Sequence, residues 1–169
     1  MEFEQDVLGG TAMPTREAHI LTLTVDNEFG VLTRITAQIR REGWNIKSLA
    51  AEETADPSIS RITLALQCFD ATLPSVVNRL SRLACVRHVS AYDEKRCICR
   101  ELALARVADT PAMRAVTEQF MAQVIADENG ILLLQLAETP RTLSAFLEAL
   151  RGAGEVDSAR TGAITLEKE

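Results

Sequence analysis

The sequence predicts an α+β fold made of two tandem βαββαβ units, and three features of the chain support this. Residues 61–68 alternate between polar and apolar side chains, which is the period of a half-buried β-strand. Residues 31–43 carry apolar side chains at helical spacing and end at Gly43, a residue that favours a helix end. The same order of strand and helix patterns then recurs, with the first strands of the two units about 80 residues apart.

In the first unit, the alternating run His19–Asp26 predicts a strand, and the helical pattern of residues 31–43 follows it. Thr72 stands where the N-cap of a second helix is expected, and Pro74 is tolerated in the first turn of that helix. Three further strands are predicted at residues 44–51, 60–68 and 86–93.

The second unit repeats this order from residue 100. Thr110 and Pro111 predict a capped helix start, and Thr139 and Pro140 predict another. The pair Asn129-Gly130 favours a tight hairpin between two strands. Residues 155–166 supply one last strand.

Each unit is therefore expected to be a ferredoxin-like four-stranded antiparallel sheet with two helices on one face. The boundaries that follow are a flexible N-terminal arm at 1–17, a first domain at 18–95 and a second at 96–169. Such a sheet leaves its other face or its edges uncovered. We expect these regions to be buried against another copy or a partner, with a homodimer as the default.

Composition excludes several classes of function. The net charge is −6, so the chain has no electrostatic footprint for nucleic acid or anionic membranes. It has no apolar run long enough for a membrane span and no secretory signal. The four cysteines form no paired CxxC motif, which favours reduced thiols in a cytoplasmic protein. The two histidines lie far from acidic clusters, so we expect neither a metal site nor catalytic residues.

The turn between the first strand and the first helix has the composition of a carboxylate-binding site. Near Gly30 the first N–H groups of the helix lack intrahelical acceptors and carry partial positive charge. Gly30 has no Cβ to keep a ligand away from the backbone, and Asn27 offers both a donor and an acceptor. The alternative is that Asn27 simply caps the helix and Gly30 only turns the chain.

Asn45 opens the second strand and suggests a second contributor to this site. In a βαββαβ unit that strand can lie at an edge beside a second copy. Asn45 of one copy would then meet a ligand held by the other, and Ile46 and Val31 would form short apolar walls. The alternative is that Asn45 is bonded to its own turn.

Five segments, in this order and spacing, resemble the regulatory small subunit of acetolactate synthase. They are DNEFGVLTRI, GWNIKSL, ADPSISRITL, RELAL and RTGAITL, and the resemblance covers nearly the whole chain, roughly from Ala18 to Leu166. The resemblance identifies the first unit as an ACT domain. Because many enzymes carry ACT domains, the DPSISRIT segment and the RTG of the second unit make the resemblance specific.

The resemblance implies a non-catalytic subunit that binds and activates a thiamine-diphosphate-dependent catalytic subunit in branched-chain amino-acid biosynthesis. It also implies feedback inhibition by a branched-chain amino acid, most often valine, bound between two ACT domains. Thiamine diphosphate, Mg and FAD are expected on the catalytic subunit and no cofactor on this chain. The implied effector-binding residues are Asn27, Gly30, Val31 and Leu32 of one protomer with Asn45 and Ile46 of the other.

Four residues of the DPSISRIT segment have two open interpretations. Asp56, Pro57, Ser60 and Arg61 form either a turn with a surface ion pair or a contact with the catalytic subunit. For the whole chain, the alternative function is a stand-alone amino-acid-sensing module that regulates another enzyme or a transcription factor. An RNA-binding fold is disfavoured because the middle strands lack aromatic residues and the surface is not basic.

Overall fold

The computed structural model describes residues 17–168. The predicted arm, residues 1–17, lies outside this part of the chain except for its last residue. The first unit comprises β1 Glu17–Asp26, α1 Val31–Arg41, β2 Asn45–Glu53, β3 Ile59–Cys68, a 3₁₀ turn Asp70–Thr72, α2 Leu73–Ser81 and β4 Val86–Ala91. The second comprises β5 Cys97–Ala108, α3 Pro111–Gln119, β6 Gln123–Glu128, β7 Ile131–Glu138, α4 Pro140–Ala153, β8 Val156–Arg160 and β9 Ile164–Glu167.

The first unit is an antiparallel sheet in the order β2-β3-β1-β4, with its core between the sheet and both helices. Alternate residues of β1 and β3, among them Leu21, Leu23 and Leu64, are fully buried against the helices. Ile35 of α1 and Leu80 of α2 close this core from the other side. The apolar residues that form the period-2 and helical patterns of the sequence are thus the residues that are buried in the core. The predicted βαββαβ order is confirmed.

The second unit repeats the arrangement with strand order β6-β7-β5-β8. Its core joins the sheet to α3 and α4, and Phe146 is its largest fully buried side chain. The Phe146 ring lies 5.4 Å from the Phe120 ring, centroid to centroid, in a tilted pair. Tandem ferredoxin-like units are therefore what the chain forms.

Two local predictions are wrong. The single last strand over residues 155–166 is two strands, because the chain turns at Thr161–Ala163, where Gly162 has φ +85°. β8 pairs with the second half of β5, Ala103–Val107, whereas β9 pairs with its beginning, Cys97–Arg100. Thr72 does not cap α2 with its side chain, because a 3₁₀ turn carries the chain directly into the helix.

β9 and the beginning of β5 cover part of the face of the first sheet that has no helices. The hydroxyls of Thr22 and Thr165 are hydrogen-bonded across this contact. Thr63 and Ala65 of β3 are buried on the same face, as is Ala163 in the turn before β9. We expected another copy or a partner to cover such surface, and here the chain does so itself. The corresponding face of the second sheet keeps exposed apolar side chains, including Leu104, Ile131 and Leu133.

Candidate functional site

The turn between β1 and α1 leaves the start of the helix open. Gly30 is the N-cap residue in the left-handed conformation (φ 81°, ψ 3°), and no side chain in the described part of the chain caps the helix. The amide of Asn27 instead donates to the carbonyl oxygen of Pro57 at 2.9 Å and to Glu53 at 3.4 Å. The interpretation of Asn27 as a helix cap is therefore wrong. The N–H of Val31 donates to the carbonyl oxygen of Glu28 at 3.3 Å, whereas the N–H groups of Gly30 and Leu32 make no hydrogen bond among residues 17–168 and are available to a ligand.

A cleft of about 580 Å³ lies in front of this helix start. Its lining includes Asn27, Gly30, Val31 and Leu32, so the structure brings these four predicted residues together. A Cβ built on Gly30 would meet no atom within 4 Å, so the space beside this backbone is open. A glycine suits this position for two reasons: it adopts the positive φ without strain, and it has no Cβ to prevent the close approach of a ligand.

The opposite wall of the cleft is acidic. It is formed by the end of β2, including Glu52 and Glu53, which sequence reasoning missed. The register of β2 against β3 brings these two residues to the cleft, since Glu53 pairs with Ser60, which also lines it. Glu52 lies 3.4 Å from Arg61. The open helix start provides positive potential on one side of the cleft, and the carboxylates provide negative potential on the other. These two sides are complementary to the carboxylate and the ammonium of an amino acid.

Within one chain, Asn45 and Ile46 lie away from this cleft. Asn45 begins β2, at the opposite end of the strand from Glu53. Its amide donates to the side chain of Gln67 on β3 at 3.1 Å, so its partner is the neighbouring strand and not its own turn. Ile46 packs against the core of the first unit. A role for either residue in the site depends on a second protomer.

The DPSISRIT segment forms an ordered turn beside the cleft. Asp56 accepts hydrogen bonds from the backbone N–H and the hydroxyl of Ser58 at 2.9 and 2.8 Å, and these bonds lower the pKa of Asp56. Pro57 holds Asn27 through its carbonyl oxygen, and Ser60 lines the cleft. Arg61 contributes the long ion pair with Glu52. The turn and the surface ion pair are thus present, and a contact with a partner stays a prediction.

Fold and cleft together define a tandem βαββαβ protein with an open helix start in its first unit. Residues 21–88 match a family model described as an AHAS small subunit-like ACT domain, and residues 100–169 match one described as the small subunit of acetolactate synthase. The acetolactate synthase small subunit of Aquifex aeolicus is 34% identical over 157 residues, covering 89% of this chain and 81% of the relative. The acetolactate synthase isozyme 3 small subunit of Escherichia coli is 30% identical, covering 88% and 94%.

This chain belongs to the acetolactate synthase small-subunit family. The crystal structure of the acetolactate synthase small subunit from Thermotoga maritima has the same fold, with a TM-score of 0.77 at 23% identity over 90% of this chain and 98% of that one. As a member of this family the chain is a regulatory, non-catalytic subunit, which confirms that expectation. No helix among residues 17–168 is long and apolar enough to cross a membrane.

Proposed function

We propose that this chain activates the thiamine-diphosphate-dependent catalytic subunit of acetolactate synthase and makes it sensitive to a branched-chain amino acid, with valine the first candidate. The relatives are named small subunits of acetolactate synthase, which supports a catalytic subunit of that enzyme as the partner. The open start of α1 opposite the carboxylates of β2 is the observation that supports an amino-acid effector. Thiamine diphosphate, Mg and FAD belong to the catalytic subunit in this proposal, and the effector is the small molecule that this chain binds.

The groups in the cleft suggest how an amino acid would lie. Its carboxylate would accept from the backbone N–H groups of Gly30 and Leu32, and from that of Val31 in exchange for the 3.3 Å bond of Val31 to the carbonyl oxygen of Glu28. Its ammonium would lie on the acidic side, near Glu53 and the amide oxygen of Asn27. That oxygen has no hydrogen-bond partner among residues 17–168, because Asn27 uses its NH₂ group for Pro57 and Glu53. A short aliphatic side chain would contact Val31.

The topology of the sheet supports a contribution from a second protomer. β2 is an edge strand of nine residues, from Asn45 to Glu53, with Leu49 at its centre. Two copies of β2 paired antiparallel about Leu49 would place Asn45 of one copy opposite Glu53 of the other. Asn45 and Ile46 of the second copy would then approach the cleft from the side that is open in one chain.

Binding between two protomers provides a mechanism of control by linkage. An effector that contacts both copies favours the arrangement in which both contacts are made, by its difference in affinity for the two arrangements. Typical coupling free energies are about 1–3 kcal/mol, which changes the affinity of the catalytic subunit by about 5–150-fold. The effector therefore needs no contact with the catalytic centre.

A charge placed at Gly30 tests the effector site. Gly30→Asp would put a carboxylate where the carboxylate of the ligand is expected, and calorimetry should show that valine binding is lost. Gly30→Asn is the matched control, since it has the same shape and the same strain at positive φ but no charge. We expect Gly30→Asn to retain measurable binding and both variants to keep the circular dichroism of the native protein. Equal valine affinity in Gly30→Asp and the native chain would exclude this cleft.

Reconstitution tests the partner. Acetolactate formation by the cognate catalytic subunit should rise when this chain is added and should fall again when valine is added. With Gly30→Asp, the stimulation should persist and the inhibition should disappear. Failure of the chain to co-purify with the catalytic subunit, with valine binding intact, would favour the stand-alone sensing module instead.

A further inference from the structure

A second cleft lies between the two units, on the side of the first sheet that has no helices. Its volume is about 540 Å³, within the range of small-molecule sites, and such sites are frequent between domains. Lys47, Ser48 and Ile20 line it from the first unit, and Arg141, Ser144 and Arg160 line it from the second. It shares no lining residue with the cleft at Gly30.

A β-bulge turns a lysine toward this cleft. Along β2, Ile46 pairs with Leu66 and Ser48 pairs with Ala65, so Lys47 is one extra residue in the strand. In a bulge two residues oppose a single residue of the partner strand, and the usual alternation of side chains is broken. Lys47 and Ser48 are consecutive, and both line the cleft. A strand that pairs without the extra residue would direct consecutive side chains to opposite faces.

The second unit contributes a fixed guanidinium group. Arg160 donates to both carboxylate oxygens of Glu101, at 2.9 and 2.6 Å, and to Ser144 Oγ and the carbonyl oxygen of Pro140 at 3.1 and 3.2 Å. Glu101 is 7% exposed and also accepts from the N–H of Gly162 at 3.2 Å. Among the described residues that line this cleft, Glu101 is the only carboxylate, and these bonds already engage both of its oxygens.

Two further cations, Lys47 and Arg141, line the cleft. Lys47 and Arg141 are exposed, and neither takes part in a hydrogen bond or ion pair among residues 17–168. They come from different units, so the cleft has positive charge on both walls although the chain as a whole carries −6. The rest of the lining is mostly apolar: Ala18, Ile20, Leu49, Ala65, Pro140 and Ala163.

We propose that this cleft between the units binds a small aliphatic carboxylate that lacks an ammonium group. Lys47 and Arg141 supply the charge for the carboxylate, and Ile20, Leu49 and Ala163 supply apolar surface for the body of the ligand. A free amino acid is disfavoured, because its ammonium would face two cations, and the described lining residues offer no unengaged carboxylate to receive it. The cleft at Gly30 is thus proposed to prefer ligands that carry an ammonium group, and the cleft between the units to prefer carboxylates without one.

Three probes of similar size separate the contributions in this proposal. 3-Methylbutanoate is valine without its ammonium, 3-methylbutanamide has the same apolar body without charge, and inorganic phosphate has charge without an apolar body. Each is titrated into the full-length chain carrying ¹³C-labelled methyl groups, with NMR shifts of Ile20 and Leu49 as the readout. We expect 3-methylbutanoate to bind at least about tenfold more tightly than either of the others. Valine should leave the methyl shifts of Ile20 unchanged; Leu49 is not used for this comparison, because it lies at the centre of the β2 pairing that valine is proposed to favour.

Charge removal is the second test. In Lys47→Gln/Arg141→Gln the affinity for 3-methylbutanoate should fall by about tenfold or more. The control is Lys95→Gln/Arg151→Gln, which removes one lysine and one exposed α4 arginine that do not line the cleft. We expect its affinity to stay within about twofold of the native chain.

Several results would overturn the proposal. These are equal binding of the acid and the amide, an equal loss in the two double variants, or shift changes at the turn near Gly30 instead of at Ile20 and Leu49. Gly30→Asp separates this proposal from the effector proposal, because it should lose valine and keep 3-methylbutanoate. Each binding event can therefore fail without the other.

Discussion

The turn at Gly162 offers a direct test of how closely the two units are packed. Its φ is +85°, and a Cβ added there would lie 2.9 Å from Cβ of Ser48 in β2. For an L-residue the left-handed conformation costs about 1–2 kcal/mol. Carbon atoms at optimal contact are about 3.5–4.0 Å apart, so the new methyl group must displace Ser48, and overpacking of this kind typically costs about 1–3 kcal/mol. Gly162→Ala should therefore lower the free energy of unfolding by about 2–5 kcal/mol.

Gly130→Ala is the matched control in the same unit. Gly130 has φ +75°, but a Cβ added there would meet nothing within 4 Å. It should cost only the conformational term of about 1–2 kcal/mol. The difference between the two variants, measured by urea denaturation at unchanged m-value, reports the contact between the units.

Ser48→Gly provides the complementary measurement. Introduced into Gly162→Ala, it removes the atom that the new methyl group would meet, so part of the lost stability should return. A double-mutant cycle should give a favourable coupling of about 1 kcal/mol or more. The packing argument fails if Gly162→Ala costs no more than Gly130→Ala, or if Ser48→Gly restores nothing.

Three further predictions concern side chains whose surroundings are defined by the structure. Glu101→Ala should destabilise the protein by about 3 kcal/mol in denaturant titrations, because it leaves the guanidinium of Arg160 without its carboxylate; an unchanged midpoint would contradict this. Cys97 is half-buried and the other three thiols are buried, so a thiol reagent should label Cys97 first in the native protein, as peptide mapping would show. The hydrogen bond from Arg114 lowers the pKa of Asp109, so the stabilisation by Asp109 is complete above its unfolded pKa of about 4 and is lost as the pH falls through its lower folded value. Asp109→Asn should make the acid side of the stability curve less steep, and an identical curve would count against the pair.

Much of the fold could be predicted from local patterns because the same residues carry both the pattern and the core. Ile62 and Leu64 alternate with polar residues in the sequence and are buried in the structure. Thr110 and Thr139 were predicted as helix caps, and each hydroxyl accepts an N–H of its helix, at 3.2 Å in both cases. These features depend on neighbours within four residues, which a sequence displays directly.

Features that depend on distant contacts were missed. The division of the last predicted strand at Gly162 follows from the pairing of β9 with the beginning of β5, some 65 residues earlier in the chain. Glu52 and Glu53 showed no signal as site residues, because only the register of β2 against β3 brings them to the cleft at Gly30. The bulge at Lys47 likewise has no signature in the alternation of the strand.

The repeat also explains why only one of the two units should bind an amino acid in this way. In the first unit the junction of strand and helix is at Gly30, where no side chain caps the helix. At the equivalent junction of the second unit, Thr110 accepts the N–H of Met113, and Pro111 at the first helical position has no N–H to donate. That helix start is already satisfied, so a carboxylate gains little there. Calorimetric titration should accordingly give one valine per chain, and two equivalent sites per chain would show that the capping of these helices does not decide where the amino acid binds.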